Sequence, residues 1–116
     1  LSLISPDQRL YRINNLKGNQ PVKPVSYSIS KHGIIGLTKY LATYWSENNV
    51  RCNALAPGGI STNQSKLFKK RLSKLIPLGR MAKKNEYKET VLYMISDASS
   101  YMNGFTMVVD GGRTAW

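Results

Sequence analysis

The feature that most constrains the fold is a long helical pattern that runs almost directly into a strand. From about Ser26 to Glu47 the apolar residues Ile34, Leu37, Leu41, Tyr44 and Trp45 recur three and four apart, flanked by Ile35 and Tyr40. That spacing gives a helix a broad apolar stripe, which is expected to face the core, Tyr40, Tyr44 and Trp45 included. Ser26 stands where it can cap the N-terminus, and Pro24 ahead of it suits an extended approach. Gly33 and Gly36 are weak helix formers, whose use would be the close approach of a neighbouring element. Asn48-Asn49 ends the helix. Val50 to Ala56 then alternates as far as Pro57-Gly58-Gly59, as a strand does on its way into a tight turn. Helix then strand, this close together, is half of a parallel βαβ unit.

The flanks extend the pattern. Residues 1 to 5 read as the end of a strand stopped by Pro6-Asp7. Residues 7 to 26 carry Asn14-Asn15, Gly18-Asn19, Pro21 and Pro24, and so form a loop of about twenty residues, a length usually reserved for function or mobility. Its bases Arg9, Arg12, Lys17 and Lys23 meet only Asp7. The loop is therefore either a solvent flap or a cover for an anionic ligand. After Ile60 to Gln64 comes a basic amphipathic helix, Lys66 to Leu75, broken by Ile76-Pro77-Leu78-Gly79-Arg80. A further helix fits Asn85 to Ser96, with Tyr87, Val91, Met94 and Ile95 on its apolar face. A turn at 99–104 leads to Phe105–Val109, a nearly continuous apolar strand of the kind found in buried parallel sheets, closed by Asp110-Gly111-Gly112. This order describes an α/β layer protein.

With 116 residues, 41% hydrophobic and 9% aromatic, the chain is a globular domain or part of one. No apolar run approaches the ~20 residues that span a bilayer, so no membrane partner is expected. The first residues lack the pattern of a signal peptide and open in mid-pattern, as if continuing a longer chain. A single cysteine, Cys52, excludes an internal disulfide framework and suits a reducing cytoplasm. One histidine and one cysteine are too few for a closed structural zinc site, and no metal is expected. The net charge is +11, with nine bases between Lys66 and Lys88 against Glu86 alone. Such a field attracts nucleic acid, an anionic surface, or a carboxylated or phosphorylated small molecule, and a solvated lysine-rich face accounts for it equally well. No aromatics interleave with these bases, so a nucleic-acid-binding module ranks last among the functions.

One spacing carries chemistry. Tyr27 and Lys31 lie four apart at the mouth of the long helix, which puts a phenol and an ammonium on one face, about one turn apart. A cation within ~4–6 Å favours the phenolate, and a phenol so poised can exchange a proton with a carbonyl or alcohol oxygen. Two surface residues on a helix would show the same spacing.

Four segments in order resemble the C-terminal half of a short-chain dehydrogenase/reductase: Tyr27-Ser-Ile-Ser-Lys31 with Gly33 behind it, Asn53-Ala-Leu-Ala-Pro57-Gly58-Gly-Ile-Ser-Thr62, Pro77-Leu-Gly-Arg80, and Ser96 to Gly104 leading to Val109-Asp110-Gly111-Gly112. The resemblance implies the C-terminal half of a doubly wound parallel-sheet Rossmann fold, incomplete, with NAD or NADP as cofactor. It implies that Tyr27 is the catalytic acid/base, that Lys31 holds the nicotinamide ribose and favours ionisation of Tyr27, and that Pro57 and Gly58 line the nicotinamide face. Ile60, through its backbone, and Thr62, through its hydroxyl, would fix the carboxamide. Residues 62–80 would form a mobile substrate lid, and 7–26 an inserted loop. The activity implied is hydride transfer between NAD(P) and a carbonyl or secondary alcohol on a small-molecule substrate, an anionic one included, by an enzyme that is homo-oligomeric at full length.

The departures are equally informative. The family's glycine-rich phosphate turn belongs to the first βα unit and is expected upstream of Leu1, together with the residue that separates NAD from NADP. Asn14 stands near the place of the family's catalytic serine, which is left unassigned. The isolated chain is accordingly expected to fold poorly and to bind cofactor weakly. A truncated, non-catalytic relative acting by interaction is the alternative reading.

Overall fold

The computed structural model describes residues 2–116, and its sheet consists of two parallel strands, β1 (Ala54–Pro57) and β2 (Thr106–Val109). Ala54 lies opposite Thr106 and Pro57 opposite Val109. Helix α1 (Val25–Tyr44) precedes β1, while α2 (Lys66–Ser73) and α3 (Lys88–Ile95) lie between the strands in sequence. The chain is drawn out, 57 × 27 × 26 Å with a Cα radius of gyration of 16.8 Å. A compact domain of its size would have a radius of about 13 Å.

The strands begin where two side-chain amides align them. Asn53 donates from Nδ2 to the Met102 carbonyl (2.8 Å) and accepts the Phe105 N–H at Oδ1 (3.0 Å). Asn103 accepts the Cys52 N–H (2.8 Å) and donates to the Ala42 carbonyl of α1 (2.9 Å). Val50 to Asn53, expected as the first half of a strand, is therefore outside the ladder: its polar groups meet side-chain amides and the turn before β2. Arg51 reaches the carbonyl of Met102 (3.0 Å) in the turn before β2 and those of Met94 (3.3 Å) and Ser96 (3.4 Å) at the end of α3, so that it ties the two together.

Helix α1 departs from expectation at its start and on its face. Pro24, not Ser26, occupies the cap position with φ −59°, already helical in that angle, and no side chain caps the helix. Ser26 lies inside the first turn, where its carbonyl accepts the Ser30 hydroxyl (2.8 Å). The α-helix stops at Tyr44, a 3-10 turn at Ser46–Asn48 follows, and Asn49 takes the left-handed conformation that ends it. Thr38 and Ala42, one turn apart, are the buried residues of α1, with Lys31 and Ile35 half-buried on the same side. Small residues thus face the sheet. Tyr40 (60% exposed), Tyr44 (63%) and Trp45 (41%) point away from the core they were expected to join. These three pack on one another instead, with ring centroids 5.6 and 5.8 Å apart. Nothing lies within 4 Å of where a Cβ would stand on Gly33 or Gly36, so no described element approaches them.

The best-buried part of the fold is at the carboxyl ends of the strands. Ile76, Met81 and Tyr87 are buried there around the Gly58-Gly59 and Gly111-Gly112 turns. Gly59 and Ala82 are joined by an Ala82 N–H to Gly59 O bond (2.9 Å), and Leu78 donates to Gly111 O (3.1 Å). Arg80 holds Glu86 through both guanidinium nitrogens (2.7 and 2.6 Å), and the Lys83 N–H adds a third bond (2.6 Å). The Arg80 guanidinium, then the Lys83 amide, hold the Glu86 carboxyl down at about 2. This turn is why α3 starts at Lys88 instead of Asn85. It also leaves the face of α3 largely open, with Val91 and Ile95 exposed and Tyr87 covered.

Residues 2 to 5 form no strand; Leu1 lies outside the described residues. A strand needs a ladder, and β1 and β2 pair with each other alone among the described residues.

Candidate functional site

A cavity of about 890 Å3 opens beside the carboxyl ends of the strands, the position at which open α/β sheets take their ligands. Its floor includes Ala56, Pro57 and Gly58 from β1 and its turn, and Val108 and Asp110 from β2. Its roof is α2, with Phe68 and Arg71, and a 3-10 turn at Gln8–Tyr11. Tyr27, on the first turn of α1, opens into it, as do Ile60 and Thr62. Five of the six residues singled out from the sequence therefore meet on one cavity. The sixth, Lys31, lies one turn along α1, with Nζ 5.5 Å from the centre of the Tyr27 ring, and is not part of the lining.

Each of these residues is held by its own local structure. Gly58 donates to Val109 O (2.9 Å), and its carbonyl accepts the hydroxyl of buried Tyr87 (3.3 Å). A Cβ on Gly58 would stand 2.8 Å from the Asp110 Cα and 3.1 Å from its carbonyl oxygen. The glycine is thus required first by the approach of the two strand ends. Gln64 spans the next turn, accepting the Thr62 N–H (2.8 Å) and donating to Ile60 O (2.9 Å), and Lys69 donates to Thr62 O (2.6 Å). Among the described residues the Ile60 N–H and the Thr62 hydroxyl take no partner, and both residues line the cavity.

The 7–24 segment is not a free flap. Arg71 of α2 donates to the carbonyls of Arg9 (3.2 Å) and Arg12 and to Asn14 Oδ1 (2.8 Å), and the Tyr11 and Phe68 rings pack 5.6 Å apart. Gln20 closes the segment on itself through Ile13 N (3.0 Å) and Leu16 O (2.8 Å). Roof and loop are one bonded piece. Burial pushes the Tyr11 phenol above its ordinary range, and the neighbouring Tyr27 phenol adds to the shift. Asp7 is engaged by Arg9 at 2.9 and 2.8 Å, which lowers its carboxyl. Sequence reasoning missed the positions of Tyr11, Lys23 and Arg71 because each acts across the fold, from a loop whose shape no periodicity reveals.

Residues 15–114 match the sequence profile of the family described as Enoyl-(Acyl carrier protein) reductase. The chain is 34% identical over 100 residues to 2-dehydro-3-deoxy-D-gluconate 5-dehydrogenase of Escherichia coli, covering 81% of this chain and 40% of that protein. It is 38% identical over 107 residues to the NADH-dependent L-xylulose reductase of Ambrosiozyma monospora, covering 84% and 39%. Its fold matches a short-chain dehydrogenase of Leptospira borgpetersenii solved with bound NAD+ at a TM-score of 0.86 and 34% identity, over 97% of this chain and 41% of that one. An Agrobacterium tumefaciens structure with bound NADP matches at 0.75 and 33%, over 83% and 42%. The chain spans about two fifths of the length of the relatives it matches.

Proposed function

Because the chain belongs to the short-chain dehydrogenase/reductase family, as part of a doubly wound parallel α/β fold, we propose that the whole protein is an oxidoreductase acting between NAD(P) and a carbonyl or secondary alcohol. One observation carries this reading: Tyr27 opens onto the same cavity as Pro57, Gly58, Ile60 and Thr62, with Lys31 one turn further along α1. The Ile60 N–H and the Thr62 hydroxyl, both without a partner among the described residues, are a donor set that fits a carboxamide. A bound NAD(P) would supply the hydride, or accept it in the reverse direction. Tyr27 donates a proton from its hydroxyl to the substrate's carbonyl oxygen in reduction and takes it back in oxidation. Lys31 holds the ribose of the cofactor and keeps a positive charge beside Tyr27.

The cavity also points to a class of substrate. Four bases, Arg12, Lys23, Arg71 and Arg113, line it against Asp7 and Asp110, which supports a small polyhydroxylated substrate, sugar acids among them. Relatives named for a sugar acid and for L-xylulose lean the same way. Residues 62–80 act as the substrate lid, with the 7–26 loop bonded to it through Arg71. The exposed apolar arc of α1, including Val25, Ile29, Leu37, Tyr40 and Tyr44, supports a homo-oligomer, in a cytoplasmic enzyme. No helix of the described residues is long and apolar enough to cross a membrane.

The Tyr27→Phe variant of the full-length enzyme tests the assignment. Turnover should fall by about 10²–10⁴-fold, the usual worth of a positioned acid/base. Cofactor affinity by NADH fluorescence titration should stay unchanged. Turnover retained at the wild-type level would refute the role of Tyr27.

A further inference from the structure

The cation nearest the Tyr27 ring is not Lys31. Lys23 places Nζ 3.8 Å from the ring centroid, against 5.5 Å for Lys31, and Lys23 lines the cavity while Lys31 does not. Its backbone is fixed by a two-bond amide clamp: the Lys23 N–H donates to Gln8 Oε1 (2.8 Å) and its carbonyl accepts from Gln8 Nε2 (3.4 Å). Pro21 and Pro24 stiffen the chain on either side. The ammonium is thus presented to the cavity from a set position.

Three of the other charges of the cavity are already committed. Asp7 is held by Arg9, and Asp110 accepts the N–H groups of Gly112 and Thr114 (2.9 Å each). Arg71 is spent on the loop carbonyls. Among the described residues Lys23, Arg12 and Arg113 pair with no carboxylate, and of the three Lys23 is the one that lies on the Tyr27 ring. A cation resting on a half-buried aromatic face that opens to a cavity is held weakly and exchanges readily for an ion pair.

We propose that Lys23 is a specificity residue, which leaves the Tyr27 ring face to pair with a carboxylate borne by the substrate a few bonds from its reacting carbonyl. The proposal rests on the assignment of Tyr27 as the proton-exchanging group. Arg12 and Arg113 share the cavity, but among the described residues no cluster of open backbone amides stands beside the ammonium, and the site therefore suits a monoanionic carboxylate better than a phosphate dianion. Pairing there sets the end of the substrate, so that its carbonyl comes to the Tyr27 hydroxyl in one orientation.

The test is calorimetric binding to the full-length protein saturated with cofactor, using 5-keto-D-gluconate and L-sorbose, which differ only in carboxylate against hydroxymethyl. The wild-type protein should bind the keto acid about tenfold tighter, the worth of one charge-assisted hydrogen bond. Lys23→Met, which keeps the stem and removes the charge, should abolish that preference, and Lys23→Arg should restore it. Equal binding of the two ligands, no binding of either, or a preference that survives Lys23→Met would overturn the proposal. So would tighter binding of D-fructose 6-phosphate than of the keto acid. Tyr27→Phe keeps the two readings apart. It should retain the binding preference while losing turnover, so that failure at Lys23 leaves the Tyr27 assignment standing, and the reverse.

Discussion

Replacing Gly58 by alanine tests whether the strand ends or the ligand dictate that glycine. The new Cβ would lie 2.8 Å from Asp110 Cα, 3.1 Å from its carbonyl oxygen and 3.2 Å from its carbonyl carbon. All three are backbone atoms, so no rotamer can relieve the contact. Ordinary carbon–carbon separation is about 3.5–4.0 Å, so β1 and β2 must part by roughly 0.7–1 Å at this level. The Gly58 N–H to Val109 O bond, now 2.9 Å, would then leave hydrogen-bonding range. Overpacking of this kind costs about 1–3 kcal/mol and a lost backbone bond about 0.5–1.5 kcal/mol, for a loss of roughly 2–4 kcal/mol. Urea denaturation of the full-length protein, with m unchanged, measures it. Gly33→Ala is the control: nothing lies within 4 Å of its Cβ position, in the interior of α1. It should stabilise by up to about 1 kcal/mol through helix propensity and a less free unfolded chain. A Gly58→Ala stability within about 0.5 kcal/mol of wild type, the range of an ordinary surface change, would refute the reasoning. So would a Gly33→Ala loss as large as that at Gly58.

Two further outcomes follow from named contacts. The Glu86 carboxyl is held at about 2 in the folded protein, below its ordinary value, so its contribution to stability is present above the unfolded value of 4.5 and is lost as pH falls towards 2. Glu86→Gln should flatten the acid limb of a stability–pH curve measured between those limits, and an unchanged limb would show that the Arg80–Glu86 pair contributes nothing. Arg71→Met removes three bonds to the 9–16 segment and should raise amide exchange there by at least about tenfold, the worth of a single charge-assisted bond, while exchange in β1 and β2 stays as it was.

The sequence was most legible where one residue acts on its own neighbours. Asn48-Asn49 closing the 3-10 turn that follows α1 and the break at Ile76–Arg80 are local chemistry, and both are readable, whereas the Ser65 cap of α2 on the Phe68 N–H (3.2 Å) was not among the sequence expectations. Tyr27, Pro57, Gly58, Ile60 and Thr62, which the family resemblance singled out, line one cavity. What could not be read depended on partners. The apolar stripe of α1 reads as a buried one, because periodicity shows that a face is apolar and not which element covers it. Thr38 and Ala42 turn to the sheet because small side chains let Asn103 reach the Ala42 carbonyl. The strand expected at residues 1–5 looked right in composition, yet a strand exists only with a neighbour to pair with. Lys23 was counted as one more base in a loop. Its place over Tyr27 depends on Gln8, fifteen residues away, which no spacing rule connects to it.

The two asparagines ahead of the strands have a consequence for how the chain finds its structure. A parallel pair drawn from distant parts of a sequence must be matched residue to residue during a slow search, and a slip by one place would turn every side chain to the wrong side. Asn53 engages both a donor and an acceptor across the gap and Asn103 a donor, and a shift of one residue would leave these three bonds without partners. They work as a key that admits a single alignment before the ladder closes, and because Asn103 also holds α1, the helix bearing Tyr27 is indexed to the sheet in the same event.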